Sequence, residues 1–309
     1  MRDLDFFKLL KLALIWFFFV VTSYSCRTPL ENQPEDLKMV GGYALEQDKY
    51  PCTVIIITPL GQCTGAVVSK RHILTAAHCF TGSSAGNYLA RENLRIGLTN
   101  KKEYDPRTDL PFVPVSKIHI SETWSQLPNH DHSANVYAFD AAIIELGEDI
   151  VGIPAGKISY EPVKPGAKVT LVGAGCEGDR EGSQSKLSRI RGGDATVITN
   201  DEAFALFDKN NTNIEFKKSV LETTRYFFTP GFQFNAKPTA SLCLGDSGGP
   251  DFAEISGTDY IVGINSFKHS RLHAESNFQG SSRLDSMNGH AKWIQNILRY
   301  VPEWNAADN

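Results

Sequence analysis

Short runs of β-branched and aliphatic residues recur along the chain, separated by clusters of Gly, Pro, Asn and Asp. Thr53–Thr58 (TVIIIT), Gly65–Ser69 (GAVVS), Val115–Ile120 (VSKIHI), Ala141–Leu146 (AAIIEL), Lys168–Gly173 (KVTLVG) and Tyr260–Ile264 (YIVGI) each have the length and composition of a strand. No strand–long helix–strand alternation accompanies them, which disfavours a parallel α/β sheet. Trp293, Ile294, Ile297, Leu298 and Val301 fall at helical spacing and predict a docked C-terminal amphipathic helix. A shorter helix is predicted over Asp201–Asp208 (DEAFALFD). The pattern is all-β with a C-terminal helix.

The first residues follow a different rule. Arg2, Lys8 and Lys11 surround or precede an unbroken apolar run from Leu12 to Val21, and Ser23-Tyr24-Ser25 then offers the small residues a signal peptidase reads. The run is too short to cross a hydrocarbon core of roughly 30 Å, which needs about twenty residues. Residues 1–25 are therefore predicted to be a signal peptide. Residues 26–38 are polar, contain Pro29 and Pro34, and read as a pro-segment or linker. Residues 39–309 form the predicted folded domain. Cys26 directly follows the expected cut and has two readings. It carries a lipid that tethers the chain to a membrane, as in an outer-membrane lipoprotein, or it is a pro-segment cysteine paired to the body of the protein. In both readings the chain is exported, secreted or periplasmic, and disulfides are permitted.

Composition narrows the function classes. With 309 residues, 41% hydrophobic and 21% charged, the chain has ample material for a packed core, and disorder is excluded for most of it. Thirty-five acidic against 31 basic groups leave a net charge of −4. That gives no general field for nucleic acid or an anionic membrane surface.

Three segments carry chemistry: Thr75-Ala76-Ala77-His78-Cys79, Asp140-Ala141-Ala142-Ile143-Ile144-Glu145-Leu146, and Gly245-Asp246-Ser247-Gly248-Gly249-Pro250. A serine hydroxyl is a poor nucleophile until a base takes its proton. Glycines on both sides of Ser247 let the backbone turn tightly and present Gly245 N–H and Ser247 N–H to a developing oxyanion. His78 titrates near working pH and is the candidate base. Asp140 is the candidate group to orient the imidazole and stabilise its charged form. Gly-Asp-Ser-Gly-Gly also matches the nucleophile elbow of α/β-hydrolases, whose triad runs Ser, acid, His. Only His269, His273 and His290 follow Ser247, in a tail too short for the required βαβ units. The elbow reading fails.

The order His78, Asp140, Ser247 in an all-β chain resembles the chymotrypsin/trypsin family of serine proteases, from about Met39 to the C-terminus. The resemblance implies two orthogonal six-stranded β-barrels, with His78 and Asp140 from the first and Ser247 from the second. It implies a serine endopeptidase acting on protein or peptide substrates through an acyl-enzyme, with no cofactor and no metal. Lys38-Met39-Val40-Gly41-Gly42 resembles the family's activation junction, where an activating protease frees a hydrophobic amino terminus. The Met39 ammonium would then pair with Asp246, with methionine in place of the usual isoleucine. Cys63 and Cys79 have the spacing of a family disulfide. Cys243 lacks its usual partner, and Cys176 in Gly173-Ala174-Gly175-Cys176 is expected to pair with it instead. Cys26 and Cys52 remain, either paired or as a lipidated cysteine and a free thiol.

Specificity departs from the family pattern. The pocket base corresponds to Ser241, which has no carboxylate to recognise Lys or Arg. The pocket wall reads Ser266-Phe267-Lys268, where Lys268 replaces a glycine. Lys268 has three readings: a solvated side chain, an obstruction at the pocket mouth, or a cation for an acidic substrate residue. Gln279 or Gly280 forms the opposite wall. Ser125–Phe139 and Asn200–Thr239 look like insertions. In the first, His130-Asp131-His132 reads as a solvated loop trio rather than a metal site. In the second, Asn210-Asn211-Thr212 is a glycosylation sequon. The alternative function is a non-catalytic binding module of the same fold, against which the intact His78, Asp140, Ser247 and Gly245 argue.

Overall fold

The architecture is that of a computed structural model in which residues 39, 42–46, 48–58, 61–81, 95–101, 103–104, 111–125, 139–175, 188–206, 214–231, 240–269, 278–285 and 290–298 are described. All of these belong to one compact unit, residues 36–309. The signal peptide, Cys26, Lys38, His130-Asp131-His132, Cys176, the Asn210 sequon and Val301 lie outside the described residues.

The first half of the described chain supplies β1 (Tyr43–Ala44), β2 (Thr53–Thr58), β3 (Gly61–Val67), β4 (His72–Thr75), β5 (Arg95–Thr99), β6 (Glu103–Tyr104), β7 (Phe112–Ile120) and β8 (Ala142–Leu146). The second half supplies β9 (Lys168–Gly173), β10 (Ser188–Arg189), β11 (Arg191–Thr196), β12 (Tyr226–Pro230), β13 (Pro250–Ile255), β14 (Thr258–His269) and β15 (Phe278–Arg283). Strands β2-β3-β4-β8-β7-β5 close into a six-stranded barrel. A seven-stranded sheet runs in the order β1-β11-β9-β13-β14-β15-β12, and β6 pairs with β10 as a separate short ribbon. The large sheet curls until Ile198, just past β11, meets Phe228 of β12 through a single bridge, with Ile198 N–H donating to Phe228 O at 2.8 Å. Closure here is thus one bridge rather than a full ladder.

The TVIIIT run has no polar face because β2 is buried on both sides. Successive strand side chains point to opposite faces. Val54 and Ile56 point into the first barrel beside Ile73, Ile96, Ile118 and Ile144. Ile55 points the other way, into a layer with Leu74, Ile143, Val172, Phe252 and Ile264. That layer joins residues of both sheets. β4 and β8 divide their side chains in the same way, so the segments leading to His78 and Asp140 leave from strands locked between two cores.

The C-terminal helix, His290–Leu298, seals the layer with Ile294, flanked by Trp293, Ile297 and Leu298. Phe139 stacks on His290 (ring centroids 3.6 Å apart) and meets Trp293 edge-on at 5.7 Å. The residue immediately before Asp140 is therefore clamped by the end of the chain.

Several boundaries differ from the sequence reading. The GAVVS strand ends at Val67, because Val68, Ser69 and His72 exchange backbone hydrogen bonds in a tight turn. The helix expected over Asp201–Asp208 spans Asn200–Ala205 and begins with a capping box. Thr199 Oγ1 accepts from Glu202 N (3.1 Å), and Thr199 N donates to Glu202 Oε2 (2.8 Å). A further helix, Ile214–Glu222, is not legible from the apolar spacing.

Cys63 and Cys79 are disulfide-bonded across a separation of 16 residues, tying β3 to the turn that carries His78. Closing a loop near fifteen residues removes about 3 kcal/mol of unfolded-state entropy. Replacing both cysteines by Ala is expected to lower the unfolding free energy by about that amount in urea titration. No measurable loss would mean that the unfolded chain is already constrained there.

Candidate active site

His78 sits in a one-turn 3-10 helix, Ala77–Cys79, directly after β4. Its N–H donates to Asp140 Oδ1 (3.0 Å), and its ring Nδ1 lies 2.7 Å from Asp140 Oδ2. Asp140 is 1% exposed, whereas 28% of the His78 side chain remains open. Burial disfavours charge on the imidazole, but the charge and hydrogen bond of Asp140 outweigh it and raise the His78 pKa above 6.5. Burial likewise opposes ionisation of Asp140, and His78 with Ser266 overcomes it, so its pKa is lowered.

The second sheet completes the shell around Asp140. Ser266 Oγ donates to Asp140 Oδ2 (2.5 Å), and Ser282 Oγ donates to Asp140 O (3.0 Å). A break in register between Asn265 and Phe267 sets Ser266 on a bulge of β14. A bulge re-aims a side chain that regular alternation would have placed elsewhere. Ser266, expected only as pocket wall, thus also holds the carboxylate.

Ser247 lies in a tight loop between Cys243 and Pro250. Ser247 O accepts from Thr64 N (2.8 Å), and Cys79 Sγ lies 3.8 Å from the same oxygen. Gly248 has φ +77°, and a Cβ there would sit 2.0 Å from Thr75 Oγ1 and 2.6 Å from Ala76 N. Only glycine lets the loop approach the His78 segment this closely. Gly245 also has positive φ (+97°), and its carbonyl accepts from Thr64 Oγ1 (2.8 Å). Among the described residues, neither Gly245 N nor Ser247 N donates to a protein group. The Gly245 and Ser247 N–H groups thus have no acceptor among the described residues.

Beneath the loop, Asp246 is buried, with Oδ1 accepting from Gly175 N and Oδ2 from Cys243 N, both at 2.7 Å. Burial pushes its carboxyl up to about 6 despite these bonds. Met39 is also buried, with positive φ (46°), in a cluster that contains Ala240 and Leu242. Cys243 is disulfide-bonded, and its expected partner, Cys176, lies outside the described residues. Cys52 is buried as a thiol.

A cavity of about 170 Å³ opens at Ser247 and is lined by Leu242, Cys243, Leu244, Ser266, Phe267 and Lys268. Ser266, Phe267 and Lys268 line it, and Ser241 is not among its lining residues. Ser241 is 1% exposed, and its hydroxyl has no hydrogen-bond partner among the described residues. Leu242, the next residue along, is among the residues that line the cavity. Among the described residues no group of acidic, His and Cys side chains is arranged to hold a metal ion.

The titration of His78 tests this geometry. A histidine with a raised folded-state pKa contributes stability that is fully present below about 6.5 and lost as pH rises through the raised value. NMR titration should give a His78 midpoint above 6.5. In Asp140→Asn, burial remains without its counter-charge, and the midpoint should fall below 6.5. An unchanged midpoint would break the assignment.

A family model described as trypsin matches residues 39–281. Among curated proteins, the chain is similar to CLIP domain-containing serine protease B4 of Anopheles gambiae, 25% identical over 248 residues, covering 74% of this chain and 62% of that protein. It is also similar to the proclotting enzyme of Tachypleus tridentatus, 24% identical over 248 residues, covering 74% of this chain and 59% of that protein. The chain spans less than two thirds of the length of either relative. The family match runs through both sheets and over His78, Asp140 and Ser247, and by it the chain belongs to the trypsin family.

Proposed function

We propose that the protein is an exported serine endopeptidase, made as a zymogen, that hydrolyses peptide bonds through an acyl-enzyme on Ser247. The observation that carries this reading is the 2.7 Å His78–Asp140 contact together with a serine loop whose Gly245 and Ser247 N–H groups find no acceptor among the described residues. His78 Nε2 takes the Ser247 proton as Oγ attacks the scissile carbonyl. Gly245 N–H and Ser247 N–H receive the oxyanion. The C–N bond then breaks, and His78 passes its proton to the departing amine. Water repeats the sequence on the ester: His78 takes its proton, the acid leaves, and Ser247 regains its hydrogen. Asp140 keeps Nδ1 protonated throughout and stabilises the imidazolium.

Activation follows from the buried Asp246. In the uncleaved chain burial raises its carboxyl to about 6, against the pull of the Cys243 and Gly175 N–H groups and of the Lys268 charge, so the ionised form is only partly compensated. Cleavage after Lys38 would free the Met39 amine, whose side chain is already buried beside Ala240 and Leu242. An ammonium paired with Asp246 would fix the loop that carries Gly245 and Ser247. The names of the two relatives, a serine protease with a CLIP domain and a proclotting enzyme, support a protease that a second protease activates. The apolar run and small residues ahead of Cys26 support export.

After cleavage at Lys38, a fluorophosphonate is expected to label Ser247, and Ser247→Ala should abolish the label. His78→Ala should lower kcat by on the order of 10⁶. Lys38→Gln should block processing and leave the chain unlabelled. Correctly processed protein that takes no label would refute the catalytic reading and favour the binding module.

A further inference from the structure

Asp140 takes its aim from the residue before it. Phe139 is 1% exposed, its N–H donates to Thr123 Oγ1 (3.0 Å), and its carbonyl accepts from Ala141 N (2.9 Å) and from Ser121 Oγ. Its ring lies face to face with the His290 imidazole, 3.6 Å between centroids and 6° from parallel. On the edge of that imidazole, Arg225 Nη1 stands 2.8 Å from Nε2. A guanidinium only donates, so Nε2 accepts and the neutral ring carries its proton on Nδ1. Nδ1 is buried and has no hydrogen-bond partner among the described residues. Burial first, and the Arg225 charge second, push the His290 pKa down to about 3, so the ring stays neutral where His78 titrates. Two aromatic rings ordinarily avoid a full sandwich, because both faces are negative. The bond from Arg225 draws density out of the imidazole and makes its face a better match for Phe139.

We propose that His290 is a positioning residue for the His78–Asp140 pair: its imidazole, anchored by Arg225 and stacked on Phe139, fixes the backbone at Asp140 and so the aim of its carboxylate. The kinetic part of the proposal rests on the endopeptidase reading above. Three donors converge on that carboxylate: His78 N at 3.0 Å, His78 Nδ1 at 2.7 Å and Ser266 Oγ at 2.5 Å. A rotation of the Phe139–Asp140 peptide would disturb all three at once. Arg225 directly precedes β12, and its carbonyl accepts from Arg283 N (2.9 Å) at the end of β15, so the anchor belongs to the second sheet. The relay from Arg225 through His290 and Phe139 thus ties Asp140 to the sheet that supplies Ser266, by a route that does not use the carboxylate. A displacement of about 1 Å at a reacting group costs on the order of a hundredfold in rate.

His290→Ala removes the stack and the acceptor together. In the full chain, NMR titration of this variant is expected to bring the His78 midpoint down toward 6.5, because a misaligned Asp140 supports the imidazolium less well. After processing at Lys38, kcat should fall by about tenfold or more while KM changes by less than about twofold. Arg225→Ala leaves the ring but removes its anchor. It should move the midpoint and kcat in the same direction by less, and it serves as the test variant if His290→Ala fails to fold. Arg225→Gln keeps a donor and should hold both quantities near the parent values.

The coupling to Asp140 is read in an Asp140→Asn background. Adding His290→Ala there should leave the His78 midpoint where Asp140→Asn alone puts it, since no charge remains to be aimed. A general loosening of the fold would shift the midpoint in both backgrounds. A parent-like His78 midpoint in the folded test variant, or an equal shift with and without the Asp140 carboxylate, would overturn the proposal. A processed parent that takes no fluorophosphonate label, with the midpoints as expected, would remove the peptidase reading and leave the positioning role standing.

Discussion

A carboxylate buried between two sheets is the constraint on which the rest of this structure depends. Asp140 is 1% exposed, and an ionised group at that depth survives only if its lone pairs are satisfied. The donors come from both sides. His78 supplies a backbone and a ring nitrogen from the first barrel, and Ser266 supplies a hydroxyl from the second sheet. The two sheets cannot shift against each other without unpairing the charge. The apolar layer of Ile55, Leu74, Ile143, Phe252 and Ile264 provides the bulk attraction between them, and Asp140 provides the register. Phe139, clamped by His290 and Trp293, keeps the C-terminal helix part of the same arrangement.

Around this anchor, the loop of Ser247 is placed by what is missing from its residues as much as by what they contain. A Cβ on Gly248 would collide with Thr75 and Ala76, and one on Gly173 or Gly175 would collide with the Asp246 carboxylate. Thr64 adds two bonds from the first barrel, to Ser247 O and Gly245 O. The serine loop and the histidine turn are therefore pressed together by backbone contacts.

Much of this is legible in the amino-acid sequence. The β-branched runs locate the strands, because a pleated and doubly buried ribbon favours those side chains. TVIIIT and KVTLVG match their strands residue for residue, since turn-forming residues flank them on both sides. The order of the histidine, aspartate and serine segments is enough to separate this family from the α/β-hydrolases. The capping box at Thr199 and Glu202 is also written in the chain, although the apolar spacing that follows it points to a later helix start. What escapes depends on register. The break in β14 that turns Ser266 toward Asp140 leaves no mark in a run that reads as regular alternation.

The sequence by itself determined the fold family, the place of six of the strands and the candidates His78, Asp140 and Ser247, because local periodicity and short motifs are properties of neighbours in the chain. The tertiary structure alone decided which side chains meet. It made Ser266 a partner of Asp140, brought Leu242 to the cavity at Ser247, and drove Gln279 across to residues 240 and 242. Those outcomes depend on how strands distant in sequence pair and where a bulge falls. Shifting the register by one residue would turn each of these side chains to the opposite face.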